Sequence, residues 1–174
     1  MRRSLILGLA AIVLVSNGAL ACGDKFVVFG RGVRFQSAYA AAHPASVLIY
    51  MNPSSHMPLI ERDFHVEATL RQLGHKPRVV TTPEDLQTAL AAGTYDVVLV
   101  DIDDVASVEK VRARANAKFS IVPALYKPTS EAVQSAQKEY GCLVKAMKRS
   151  HDLPIVLDEV MRSRSKGADR CQRI

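Results

Sequence analysis

Tryptophan is missing from this 174-residue chain, cysteine occurs three times, and aromatic residues make up only 6% of it. Three cysteines are too few for a disulfide scaffold. Nine glycines and eight prolines exclude collagen-like and low-complexity architectures, and a chain that is 48% hydrophobic and 23% charged is not disordered. The five histidines, at 43, 56, 65, 75 and 151, show no ligand spacing, so the sequence offers no zinc site. Gly30-Arg31-Gly32 follows an apolar run, but Phe35 stands where a dinucleotide fingerprint needs glycine. No Ser-His-Asp or Cys-His motif is present, and no catalytic residue is assigned.

The first 21 residues have the anatomy of a secretory signal peptide. Arg2 and Arg3 form a positive start, Leu5 to Val15 is an uncharged run of 11 residues, and Ala19-Leu20-Ala21 supplies small residues for cleavage. Eleven residues fall well short of the about 20 that a spanning helix requires. Cleavage after Ala21 would deliver the chain to the periplasm or outside the cell. A membrane anchor is the alternative, through a lipidated Cys22 or an uncleaved leader. Removing Arg2 and Arg3 leaves 21 basic against 17 acidic residues, a net +4 rather than +6. That excess is spread along the chain, so no nucleic-acid partner is expected. Three thiols in an oxidising compartment cannot all pair with one another. Cys142 reads as a small hydrophobe in a buried strand. Cys22 and Cys171 are the leading bridge, with unbridged thiols the alternative.

From residue 46 the pattern alternates between short apolar runs and amphipathic stretches. Val47–Met51, Arg78–Thr81, Val97–Val100, Ile121–Tyr126 and Cys142–Val144 read as strands. Pro123 is unwelcome in a central strand, so a bulge, or a strand beginning at Pro123, is expected. A helix from about Pro58 carries Leu59, Val66, Leu70 and Leu73 on one stripe and ends at Gly74. Thr82 caps the next, with Pro83 at its first position and Glu84 and Asp85 in its first turn. Further helices start near Asp104, at Thr129 or Ser130, and at Leu153. Five strands alternating with five helices predict a three-layer α/β fold, a doubly wound five-stranded parallel sheet of the flavodoxin-like order 2-1-3-4-5. The unit spans residues 46–164. Residues 22–45 form an extension packed on it, with Phe26–Phe29 a further strand and Phe35–Ala42 a short helix. Residues 165–174 are a basic tail.

In such sheets the functional crevice opens at the carboxyl ends of the strands, where strand order reverses. Asn52 and Asp101 should face each other there, within reach of Lys145. At these residues the chain resembles the receiver domain of bacterial response regulators, the CheY-like family. Tyr95–Asp101 is similar to the family's third strand, ending in its phosphoacceptor aspartate. Gly141–Lys145 is similar to its fifth, ending in the lysine that contacts the phosphoryl group. The resemblance implies Asp101 as the phosphoacceptor-like residue, Lys145 as the phosphate contact, and a crevice lined by Met51, Asn52, Asp103 and Thr129. Receivers hold Mg²⁺ with an acidic pair at the end of strand one, where this sequence has Met51 and Asn52. A thioether and a neutral amide are poor donors to so hard an ion, so neither a metal nor any other cofactor is expected. The expectation is a pseudo-receiver, an exported non-enzymatic module that binds a protein partner through about Thr129–Arg164. A genuine receiver phosphorylated on Asp101 in a two-component phosphorelay is the alternative.

Overall fold

A computed structural model describes residues 44–140, 144–146 and 152–165. The expectations for the leader, the 22–43 segment, all three cysteines and residues 166–174 lie outside the described residues. β1 (Ser46–Tyr50), β2 (Lys76–Val80), β3 (Val97–Asp101) and β4 (Ser120–Tyr126) form a parallel sheet in the order β2-β1-β3-β4. A three-residue strand, β5 (Val144–Ala146), pairs with the end of β4. The architecture is flavodoxin-like in character.

The sheet is parallel because each strand returns through a helix on one of its faces. Those helices are α1 (Met57–Phe64), α2 (Val66–Gln72), α3 (Pro83–Ala92), α4 (Val105–Ala115), α5 (Ser130–Tyr140) and α6 (Asp152–Ser165). They divide between the two faces. Val47, Ile49, Val97, Leu99, Val122 and Ala124 pack with residues of α1, α2 and α6. Leu48, Tyr50, Val98, Val100 and Ile121 pack with α3 and α4. Leu125 packs with Val133 and Ala136 of α5. Alternate residues of one strand thus enter opposite cores, which is why Val97–Val100 carries no polar residue. All four are no more than 1% exposed.

Thr82 caps α3 as its sequence predicts, its side chain accepting a hydrogen bond from the Asp85 N–H at 3.1 Å. Gly74 takes a positive φ of 90° behind α2. Two expectations need correction. The single helix read over 58–73 is two, broken at His65, whose φ of 48° is left-handed. Its N–H closes α1 on the Glu61 carbonyl, and the Glu61 carboxylate accepts the Glu67 N–H in the first turn of α2. The break lets Met57 and Ile60, then Val66 and Leu70, all reach the same core. Pro123, in turn, neither bulges nor begins its strand. It pairs in regular register with Val100 of β3, in the interior of a strand that begins at Ser120.

Candidate functional site

Three strand ends build the crevice. β3 delivers Asp101 at its last position, 1% exposed. A buried carboxylate is costly unless its oxygens are bonded, and both are. Oδ1 accepts the Asp103 N–H at 3.0 Å, closing the 3-10 turn Ile102–Asp104, and Oδ2 accepts the His56 N–H at 2.9 Å. The His56 ring follows its backbone, placing Nδ1 3.4 Å from the same Oδ2 while the side chain stays 56% exposed. His56 is the residue before α1, so the start of that helix is fastened to the end of β3.

The end of β1 is turned elsewhere. The Asn52 side-chain nitrogen donates to both carboxylate oxygens of Asp104, at 2.9 and 3.1 Å. Its oxygen accepts the Ser54 N–H at 3.0 Å, and its backbone carbonyl accepts the Ser55 hydroxyl. The expected meeting of Asn52 with Asp101 is thus replaced by one with Asp104. Met51 bonds through its N–H to the Val80 carbonyl and packs against the core under α1, α2 and α6. Tyr50, one residue earlier, is buried on the opposite face, in the core under α3 and α4. Burial, with the charges of Asp104 and Glu84 adding to it, pushes its phenol above the ordinary value, so it stays neutral.

β4 ends in Tyr126, whose ring stacks on His56 with centroids 6.1 Å apart and planes 20° apart. Its hydroxyl donates to Asp63 of α1 at 2.7 Å. The Arg62 guanidinium, then the Tyr126 hydroxyl and Lys127, hold the Asp63 carboxyl below the usual range. Lys127 places its ammonium 4.7 Å from the Tyr126 ring centroid and 3.9 Å from Asp63, on a left-handed backbone with φ 44°. Thr129, expected to line the crevice, instead accepts the Ala132 N–H at 3.2 Å in the first turn of α5 and is exposed. Lys145 lies in β5, in register with Leu125 of β4.

Of the expected residues, then, Asp101 and Asp103 come together, Asn52 meets Asp104, and Met51 and Thr129 serve the core and a helix start. Sequence reasoning missed His56 and Tyr126 as members of the site. His56 lies 45 residues from Asp101, and no local pattern marks a residue that reaches across the sheet.

The resemblance to receivers raises Mg²⁺, and the donors do not fit it. Mg²⁺ demands a near-octahedral set of oxygens. One imidazole nitrogen and the carboxylates of Asp101 and Asp103 lie within 4.8 Å of one another. Only Asp101 is buried, both its oxygens are already engaged, and the place nearest Oδ2 is taken by nitrogen, a ligand Mg²⁺ does not favour. An open depression of about 550 Å³ lies at the opposite end of the sheet, lined by residues 90–95 and 115–119, and includes none of these groups. Among the described residues no helix is long and apolar enough to cross a membrane. No family model, no curated protein and no solved structure matches the chain.

Proposed function

We propose that this chain is an exported, CheY-like pseudo-receiver, a non-enzymatic module that works by binding another protein. One observation carries the reading. Asp101 ends β3 where a receiver's phosphoacceptor would stand, yet the amide at the end of β1 turns to Asp104 and the Asp101 oxygens are held by the N–H groups of His56 and Asp103. Charge building on a transferred phosphoryl group needs a compensating metal and positioned cations. The donors around Asp101 supply no magnesium cage. The fold and its strand-end turns remain, and α5, β5 and α6, about Thr129–Arg164, offer the partner surface.

The test incubates the processed full chain with acetyl phosphate and Mg²⁺ and weighs it intact. No phosphoryl adduct should form on Asp101. A stoichiometric, hydroxylamine-sensitive adduct that disappears in Asp101→Asn would replace this reading with that of a working receiver.

A further inference from the structure

We propose that His56, Asp101 and Asp103 bind a first-row transition-metal dication, with Zn²⁺ the ion that suits their donor set. The proposal rests on the pseudo-receiver reading, in which Asp101 has no magnesium to hold, and gives the same crevice a different ion.

Three donors from three pieces of the chain converge. His56 precedes α1, Asp101 ends β3, and Asp103 lies in the 3-10 turn that follows. One ligand atom from each, an imidazole nitrogen and two carboxylate oxygens, lies within 4.8 Å of the others. No spacing in the sequence marks the set, because His56 stands 45 residues from Asp101. Around a tetrahedral ion with bonds of about 2.0–2.2 Å, neighbouring donors stand roughly 3.3–3.6 Å apart. His56 Nδ1 and Asp101 Oδ2 are 3.4 Å apart, which fits two ligands of one ion and is long for a hydrogen bond. Asp103 is exposed, and its backbone is fixed by the N–H it donates to Asp101, so rotation of its side chain alone closes the set.

A second observation points to a cation. Asp101 is 1% exposed, yet among the described side chains no lysine or arginine pairs with it, and His56 is its one ion-pair partner. Buried charges are paired or coordinate metals. The N–H groups of His56 and Asp103 occupy one lone pair on each Asp101 oxygen and leave another on each. Zinc needs only one of these, where magnesium would need a shell of oxygens. The imidazole that disqualifies magnesium is an ordinary zinc ligand. The His56 side chain is 56% exposed, so the ion enters directly from solvent. Three protein ligands leave a fourth position for water or for a donor from the protein partner.

Calorimetric titration of the full chain with ZnCl₂, at constant pH and without phosphodonor, tests this. The wild-type chain should hold one ion that His56→Gln and Asp103→Asn each weaken at least about 100-fold, the upper end of what loss of a residue behind a metal ligand costs. Both side chains are exposed, and the backbone N–H that each residue donates to Asp101 survives the substitution, so the variants keep the fold. Zinc held by thiols or by other histidines would be common to all three proteins. Co²⁺ then locates the ion, since its unpaired electrons should shift or broaden the amide resonances of His56, Met57, Asp103 and Asp104. Absence of saturable zinc uptake by the wild-type chain overturns the proposal, as does uptake that either variant leaves unchanged. A magnesium-dependent acyl phosphate on Asp101, measured without zinc, would instead overturn the pseudo-receiver reading.

Discussion

Asp101 has its oxygens committed to the protein itself. The N–H groups of His56 and Asp103 point at it, from α1 and from the 3-10 turn. Truncation leaves both donors without their acceptor, at about 1–3 kcal/mol for each group left unsatisfied. Asp101→Ala should therefore lower unfolding free energy by about 2–6 kcal/mol, and Asp101→Asn by less, since a carboxamide oxygen still accepts one bond. Urea denaturation of the two variants checks this. His75 makes a different prediction. Its Nδ1 accepts the Ala45 N–H at 3.1 Å, which requires a neutral ring, and burial pushes its pKa below the ordinary 6.5. The unfolded chain then binds the proton more readily than the folded one. Stability from His75 is complete above pH 6.5 and is lost as pH falls through the folded-state value. His75→Gln should flatten that acid limb in urea midpoints taken from pH 7.5 to 5, and an unchanged slope would show that another group is responsible.

At the scale of elements, the chain's punctuation explains what could be read from the sequence. Thr82-Pro83 and Gly74 are local chemical signals, and each stands at the helix end it predicts. Val97–Val100 is legible because a strand covered on both faces has no polar residue to interrupt it. The break at His65 is hidden, because histidine is no breaker and the spacing of Leu59, Val66 and Leu70 continues across it. The tertiary core decides there: two short helices present Met57, Ile60, Val66 and Leu70 to one surface. A left-handed residue with a side chain is strained by roughly 1–2 kcal/mol. Glycine removes that strain but has more freedom to lose on folding. His65→Gly should leave the protein as stable or up to about 1 kcal/mol more stable, measured by thermal or urea unfolding. A loss above 1 kcal/mol would mean that the side chain holds the break in place.

For the whole molecule, one sheet feeds two cores and presents its strand ends together. Asp101 was legible because a polar residue closes an apolar strand. The company it keeps was not, since the Asn52–Asp104 and His56–Asp101 pairs join residues 52 and 45 positions apart. Helix α6 shows the division of labour on the proposed partner surface. Leu157 is fully buried, whereas Ile155 is 52% exposed. Leu157→Ala should cost about 2–5 kcal/mol through the cavity it leaves. Ile155→Ser should change stability by no more than about 0.5 kcal/mol. A large loss on Ile155→Ser would show that Ile155 supports the fold and would remove it from the partner surface.

A receiver's metal site needs carboxylates at the end of β1, where this chain has Met51 and Asn52. Calorimetric titration of the full chain with MgCl₂ measures their consequence without any phosphodonor. The pseudo-receiver proposal predicts no saturable heat up to millimolar ion. Saturable uptake at one site per chain, abolished by Asp101→Asn, would contradict it.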